Sequence, residues 1–324
     1  MNILLTGGAG YIGSITNWYI RNYTKHKTVI ADNLETGHIK PVEETKFYLA
    51  DLKDSTYLTK ILKKEKIDVV IHLAGLAIVS DSIKDPYTYY HNNLLSTMEL
   101  LRCMEEAGKE KLVFSSSCSV YGNPKKLPID VNTPLNPISP YARSKVMCEQ
   151  MINDMMFNYV ILRYFNAAGA LMDGSIGEAH EHETHIIPNL IKCALEDKPF
   201  FLYGDNYKTP DGTCIRDYIH VLDLASAHVK AAELLMERPM TRINCNLSTG
   251  VPYSNKQLIH KVEELTGKHI KVEQHLRNFG DPDAVWADNR KARYLLDWDP
   301  QYNMNDILES AIKWHTQNPG GYNE

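Results

Sequence analysis

Residues 2–13 read NILLTGGAGYIG, a short apolar run that leads directly into a glycine-rich turn. Gly7, Gly10 and Gly13 satisfy the spacing G-x-x-G-x-x-G. Glycines at this spacing let the backbone approach a pyrophosphate, which then lies on free N–H groups at the start of the next helix. Asp32 ends the second predicted strand, where a carboxylate can accept both ribose hydroxyls and repel a 2′-phosphate. The stretch predicts a dinucleotide site that favours NAD over NADP, and its strand–turn–helix context disfavours a plain glycine turn with a capping aspartate.

The first half of the chain alternates short apolar runs with helical patterns. The runs predict strands at 2–6, 28–32, 47–50, 67–74, 111–117 and 160–166, and the patterns predict helices at 11–23, 55–64, 86–107 and after Tyr141. Nearly continuous apolar strands are typical of parallel sheets covered by helices on both faces. We therefore predict an α/β fold with a Rossmann-type, doubly wound parallel sheet and right-handed crossovers.

Beyond about residue 167 this alternation breaks into loops and short helices. Two later segments, 219–235 and 243–247, again have the pattern of a helix and a strand of the first domain. The predicted division is an NAD-binding domain of 1–166, to which 216–249 returns, and a smaller C-terminal α/β substrate-binding domain of 167–215 and 250–324.

Composition excludes several partner classes. A net charge of −5 provides no broad positive field for nucleic acid or anionic lipid, so neither a nucleic-acid nor a membrane partner is expected. The six cysteines are scattered without a C-x-x-C pair, which favours a reducing compartment. No basic and apolar leader precedes the first strand, and we expect a cytoplasmic protein.

The spacing Tyr-x-x-x-Lys occurs three times, at Tyr23/Lys27, Tyr121/Lys125 and Tyr141/Lys145. The first pair spans the end of a predicted helix, and Gly-Asn-Pro interrupts the second. The third begins a helix after Pro140, so its two side chains share one face. It also follows Ser117, at the end of the fifth predicted strand, and this context selects Tyr141 and Lys145.

The selected residues suit the interconversion of a hydroxyl and a carbonyl. A phenol with an ordinary pKa near 10 is a poor base at neutral pH. The ammonium of Lys145, together with the positive nicotinamide of the oxidised cofactor, is expected to lower the pKa of Tyr141. Ser117 would hydrogen-bond the reacting oxygen. We predict Ser117, Tyr141 and Lys145 as the catalytic residues.

Six segments together resemble one known family: TGGAGYIGS, IHLAG, FSSSCSVYG, SPYARSK, LRYFNAAGA and DGTCIRDYIHVLDLA. The chain resembles the UDP-sugar 4-epimerases of the extended short-chain dehydrogenase/reductase family, almost from end to end. The resemblance implies an isomerase that holds NAD tightly and inverts C4 of a UDP-hexose, UDP-galactose to UDP-glucose, through a transient 4-keto sugar. It also implies a homodimer built from the helices at 86–107 and 141–157.

The same resemblance implies most of the binding residues. Cofactor contacts are expected from Gly7, Gly10, Tyr11, Ile12, Gly13, Asp32, Asn33, Asp51, Leu52, Leu73, Ala74, Gly75, Asn93, Ser115, Tyr141, Lys145 and Tyr164. UDP-sugar contacts are expected from Ser117, Asn166, His185, Ile186, Tyr203, Arg216, Tyr218, Arg277 and Asp281. The planar guanidinium of Arg216 suits a diphosphate.

Three positions depart from the family pattern. Ala77 replaces a lysine that can face the cofactor, and Asn278 replaces the second arginine of a diphosphate-binding pair. Val285 stands where some relatives carry a larger tyrosine that limits the sugar pocket. The smaller side chain leaves open a 2-acetamido sugar as substrate.

Alternative functions remain open beside the UDP-hexose epimerase. Epimerases of UDP-N-acetylhexosamines or UDP-pentoses share nearly all of these motifs. A 4,6-dehydratase is disfavoured because Ser117, Cys118 and Ser119 lack the carboxylates that water elimination needs. A non-catalytic NAD-sensing protein would tolerate loss of Ser117, Tyr141 or Lys145, and this chain keeps all three.

One histidine-rich segment suggests a metal site but lacks a known metal motif. The sequence EAHEHETH at 178–185 has neither an H-E-x-x-H helix nor a cysteine partner. We predict a solvated loop and no metal.

Overall fold

The computed structural model describes residues 1–277 and 281–322. Its strands are β1 Asn2–Thr6, β2 Lys27–Asp32, β3 Lys46–Leu49, β4 Val69–His72, β5 Lys111–Ser117, β6 Asn158–Tyr164, β7 Asn166–Ala168, β8 Phe200–Tyr203, β9 Ile215–His220, β10 Arg242–Leu247, β11 Pro252–Ser254, β12 Val272–His275 and β13 Ala284–Val285. Its helices are α1 Tyr11–Tyr23, α2 Ser55–Lys64, α3 Val79–Lys84, α4 Pro86–Glu106, α5 Pro140–Asp154, α6 Ile186–Glu196, α7 Val221–Glu237, α8 Asn255–Thr266, α9 Arg290–Leu296 and α10 Met304–Gln317.

Strands β1 to β6 and β10 form a seven-stranded parallel sheet. Its strand order is β10-β6-β5-β4-β1-β2-β3. Along β1, Ile3 and Leu5 join one apolar cluster with α7, whereas Leu4 joins the cluster on the other face with α2, α4 and α5. This alternation follows from the two-residue period of a strand, and apolar residues on both faces bury the sheet completely. The predicted doubly wound α/β fold is confirmed.

Strands β7 to β9 and β11 to β13 form two smaller sheets. Strands β11, β9 and β13 lie side by side, β7 pairs with β9, and β12 pairs with β8. Helices α6, α8 and α10 pack together over a core that includes Leu190, Leu258 and Leu308. The carboxyl ends of β5 and β6 lead toward this unit, because β7 begins two residues after β6 ends.

The predicted helix at 219–235 was wrong at its start. Ile219 and His220 belong to β9, where they pair with Ala167 and Ala168 of β7, and α7 begins at Val221. The pairing is a contact between distant segments, so the local helical pattern could not show it.

No helix among the described residues combines the length and the hydropathy that crossing a bilayer requires.

Candidate active site

The glycine turn between β1 and α1 is too tightly packed for side chains. A Cβ atom on Gly7, whose φ is +70°, would lie 2.5 Å from the backbone nitrogen of Ala74, and one on Gly13 would lie 2.3 Å from the carbonyl oxygen of Gly7. No side chain caps the N-terminus of α1. Its first N–H groups are therefore free for an external acceptor, as a pyrophosphate requires. This turn fits the dinucleotide NAD.

Asp32 is buried at the end of β2, beside this turn. Its Oδ2 accepts a hydrogen bond of 2.9 Å from the N–H of Ala9, and its Oδ1 accepts one of 2.8 Å from the N–H of Leu34. Burial raises the pKa of Asp32, although these backbone hydrogen bonds oppose the rise. Each oxygen keeps a lone pair, so the carboxylate can still accept ribose hydroxyls.

The turn after β4 is held by Asn93 of α4. The Asn93 amide accepts from the N–H of Leu76 at 2.8 Å and donates to its carbonyl at 3.0 Å. Gly75 has φ of +139°, and a Cβ atom there would lie 3.0 Å from Asn93 Oδ1. Ala77 is exposed two residues later. Asn93, which the family resemblance placed at the cofactor, thus also shapes the turn that faces it.

The remaining predicted cofactor residues differ in placement. The Tyr11 hydroxyl donates to the Gly169 carbonyl at 2.6 Å, the Leu73 N–H donates to the Thr6 carbonyl, and Leu52 is buried. The side chains of Asn33 and Asp51 are exposed, and Asp51 pairs with Lys53 at 3.4 Å. Their cofactor contacts stay predictions.

Ser117, Tyr141 and Lys145 lie together where β5 meets α5. Tyr141 and Ser117 are both buried, and the Ser117 hydroxyl donates a hydrogen bond of 3.2 Å to the Ser119 hydroxyl. Lys145 Nζ donates a hydrogen bond of 2.9 Å to the carbonyl of Ser115. Helix α5 begins with Ser139 as its N-cap and Pro140 at its first position, which places Tyr141 and Lys145 one turn apart.

In the protein without NAD, burial has the largest effect on the pKa of Tyr141. Burial raises this pKa well above its ordinary value, nearby Tyr164 raises it further, and the polar Ser117 side chain lowers it only partly. Burial also lowers the pKa of Lys145, whose ammonium is held by the Ser115 carbonyl. The lowering of the Tyr141 pKa by Lys145 together with the positive nicotinamide of bound NAD stays a prediction.

Sequence reasoning missed a buried histidine beneath this site. His228 Nδ1 lies 2.7 Å from the Leu224 carbonyl, and its Nε2 lies 2.8 Å from the Ser115 hydroxyl. Because a carbonyl can only accept, Nδ1 carries the proton and Nε2 accepts from Ser115. Burial lowers the pKa of His228 to about 4, so the ring is neutral. The only signal in the sequence is one histidine between Ala227 and Val229 in a largely apolar segment.

A second missed feature anchors α5 to the sheet. Arg163 of β6 makes two hydrogen bonds to the Glu149 carboxylate, at 3.0 and 2.6 Å, and Ser116 donates to the same carboxylate at 2.5 Å. Arg163 also donates to the Tyr121 hydroxyl. This buried network fixes the helix that carries Tyr141.

Several charged residues lie close together near β9, in the smaller sheet that this strand forms with β7, β11 and β13. Arg216 Nη2 lies 3.2 Å from Asp281 Oδ1, and Arg277 Nη1 lies 2.9 Å from Asp283 Oδ1. Arg277 also donates to the Asp281 carbonyl and stacks on the ring of Tyr207. The structure thus brings together Arg216, Arg277 and Asp281, and the two guanidinium groups are of the kind that binds a diphosphate. Asn278 lies outside the described residues.

Other predicted substrate residues are scattered around this cluster. Asn166 donates to the Asp217 carbonyl at 2.7 Å, Ile186 begins α6, and Tyr203 is partly exposed beside His275. Tyr218 is buried in the apolar core beneath α6, α8 and α10, and this position gives no support to a substrate contact. Val285 is buried and pairs with Arg216 across β13 and β9.

The segment 178–185 is a loop, as expected, but it is only partly solvated, because Glu178 is buried whereas Thr184 and His185 are exposed. The Glu178 side chain is 4% exposed and that of Glu183 is 5% exposed. Burial alone would lower the pKa of His185, but the charge of Glu178 and its hydrogen bond raise it to about 9. Glu181 and His182 remain exposed.

Comparisons with known proteins agree with this geometry. The sequence model of the NAD dependent epimerase/dehydratase family matches residues 3–245. The chain is 44% identical to a UDP-glucose 4-epimerase of Lactobacillus helveticus, with 100% of each chain covered. A UDP-glucose 4-epimerase of Brucella ovis solved in complex with NAD has a TM-score of 0.92 and 41% identity over 96% of this chain and 97% of its own. The UDP-Glc/GlcNAc 4-epimerase of Campylobacter jejuni has a TM-score of 0.83 and 37% identity over 98% and 99%.

Proposed function

This chain belongs to the NAD dependent epimerase/dehydratase family, and from that premise we propose that it is a UDP-sugar 4-epimerase that converts UDP-galactose to UDP-glucose. The observation that carries the proposal is the placement of buried Tyr141 and Lys145 one turn apart on α5, where Lys145 bonds the Ser115 carbonyl at the carboxyl end of β5, the strand that ends at Ser117. Parallel strands present this edge of a sheet to a dinucleotide. The enzyme uses NAD.

The chain's own residues have distinct tasks in this reaction. NAD, when bound, supplies the hydride acceptor and donor for the sugar C4. Tyr141 takes the proton of the C4 hydroxyl and later returns it, and Ser117 hydrogen-bonds the same oxygen. Lys145 holds the Ser115 carbonyl, and thereby the end of β5, in place. A positioned acid–base group of this kind contributes about 10²–10⁴-fold to a rate.

The cluster of Arg216, Arg277 and Asp281 near β9 binds the diphosphate of the nucleotide sugar. Arg216 is only 14% exposed, so its charge acts in a medium of low polarity, where it attracts a diphosphate strongly. Asp281 holds Arg216 in place before substrate arrives, which reduces the ordering cost of binding. Arg277 supplies a second cation beside it.

The identity of the sugar is tested by rates on a panel of substrates. We expect activity on UDP-galactose and, because Val285 is small, also on UDP-N-acetylgalactosamine. Val285→Tyr should lower the rate ratio of the acetamido sugar to the hexose by about tenfold or more, since a filled pocket excludes added bulk.

The matched control for this test is Val251→Tyr, because Val251 is 56% exposed in the same domain. An unchanged ratio in Val285→Tyr would contradict a pocket limited by that position. Inactivity of the wild-type enzyme on UDP-galactose, UDP-N-acetylgalactosamine and UDP-arabinose alike would favour a non-catalytic NAD-sensing protein instead.

We further propose a homodimer through α4 and α5. The two helices pack against each other and expose Tyr87, Met98 and Met147, at 75%, 47% and 42%. Adjacent exposed apolar side chains favour a protein–protein contact. Light scattering is expected to give twice the chain mass of 36.9 kDa.

A charge placed in this surface is expected to separate the subunits. Met98→Lys should lower the measured mass to that of one chain, because association would bury the new ammonium. Met236→Lys is the control, since Met236 is 43% exposed on α7. A wild-type protein that scatters as a monomer would overturn the proposal.

We also propose a cytoplasmic location. All six cysteines are free thiols in the structure, and a reducing compartment keeps thiols in this state. Recovery of the protein in the extracellular fraction of its native cells would contradict it.

A further inference from the structure

The segment between β7 and α6 gathers two histidines and two glutamates away from the reacting groups. One ligand atom from each of Glu178, His180, Glu183 and His185 lies within 4.8 Å of the others. The two carboxylates are buried, with side-chain exposures of 4% and 5%. No step of the proposed reaction uses Glu178, His180 or Glu183.

The distances between these atoms suit a small tetrahedral cation. His180 Nδ1 lies 3.4 Å from Glu178 Oε1 and 3.5 Å from Glu183 Oε2, and the four ligand atoms all lie within 4.8 Å of one another. Ligands bound at about 2.0 Å in a tetrahedron are separated by about 3.3 Å. His185 Nδ1 and Glu178 Oε1 lie 2.5 Å apart and share a proton in the absence of metal. A metal ion bound by both atoms would replace this proton.

Two of these atoms have no hydrogen-bond partner among the residues that the structure describes. His180 Nδ1 and Glu183 Oε2 are both buried and unpartnered, and their separation of 3.5 Å is too long for a hydrogen bond of normal strength. Burial of a carboxylate oxygen without a partner is costly. The other oxygen, Glu183 Oε1, accepts from the N–H groups of Thr184 and His185, which fixes the carboxylate in place. One cation could therefore bind both His180 Nδ1 and Glu183 Oε2.

The surrounding residues hold the segment rigidly. The Trp314 indole donates to the Glu178 carbonyl at 2.8 Å, and His38 Nε2 lies 3.0 Å from the Ala179 carbonyl. The Tyr322 hydroxyl contacts the backbone of Gly177. These contacts tie the backbone of the cluster to the first domain and to the C-terminal helix, so its ligands are already arranged for binding.

We propose that Glu178, His180, Glu183 and His185 bind one divalent cation of the zinc class. Two imidazoles and two carboxylates suit zinc among the common divalent metals, and four protein ligands form a closed site of the structural kind. The ion would join the start of α6, where His185 is the N-cap, to the segment that precedes it. Its role is to stabilise this connection.

The test uses full-length protein without an affinity tag, stripped with a chelator and then dialysed. Added Zn²⁺ is measured by elemental analysis after gel filtration, and the thermal midpoint is recorded with and without metal. We expect one zinc per chain and a midpoint raised by several degrees, because an ion that binds only the folded state stabilises it. Less than about one zinc per ten chains at saturating metal would overturn the proposal.

Variants separate this site from adventitious binding to other histidines. His180→Asn and Glu183→Gln should each weaken zinc binding at least about tenfold and remove the rise in midpoint. The controls Glu181→Gln and His182→Asn are exposed in the same segment and should bind zinc like the wild type. Equal loss in the controls would contradict the assignment. Should a cluster variant not fold, the wild-type stoichiometry and the other cluster variant decide the question.

Discussion

Replacement of Tyr141 by Phe is expected to lower the turnover of UDP-galactose by about 10²–10⁴-fold while bound NAD is retained. The Tyr141 side chain is buried, so loss of one oxygen removes the proton acceptor with little change of shape. Turnover is measured by a coupled assay of UDP-glucose formation, and NAD by its release on denaturation. The retained cofactor separates a chemical defect from a defect in binding.

Tyr23→Phe is the matched control for this variant. Tyr23 also stands four residues before a lysine, but it is 65% exposed at the end of α1, far from β5 in the sheet order. It should keep wild-type turnover. Tyr141→Phe with more than about a tenth of wild-type activity would show that another group accepts the proton.

Replacement of Glu149 by Gln is expected to destabilise the protein by about 3–5 kcal/mol. Glu149 and Arg163 are 2% and 4% exposed, so the variant leaves the guanidinium buried without its counter-charge. The Ser116 hydroxyl loses its carboxylate acceptor as well. The free energy of unfolding is compared through urea denaturation followed by circular dichroism.

Glu106→Gln is the control, because Glu106 pairs with Arg102 on the exposed face of α4. An exposed pair contributes only about 0–1 kcal/mol. The double variant Glu149→Leu/Arg163→Met should recover much of the loss, since two apolar groups bury no charge. A loss in Glu149→Gln no larger than in Glu106→Gln would show that the buried pair does not anchor α5.

Several local features were correctly predicted from sequence because their causes are local. The strands at 2–6 and 111–117 and the helices at 11–23 and 55–64 have the predicted bounds. The apolar periods of these elements and the glycine turn are set by neighbouring residues. The choice of Tyr141/Lys145 among three pairs likewise depended on Pro140 and the strand before it.

The sequence by itself therefore determined the parallel sheet, the dinucleotide turn and the selection of Ser117, Tyr141 and Lys145 as candidates. Only the tertiary structure decided that Lys145 contacts the Ser115 carbonyl, that His228 supports the same serine, and that Glu149 meets Arg163. It also buried Glu178 and Glu183, whose sequence is typical of a solvated loop. The physical reason is that burial and pairing of polar groups depend on residues far apart in the chain, such as Ser115 and His228, whereas strand and helix periods do not.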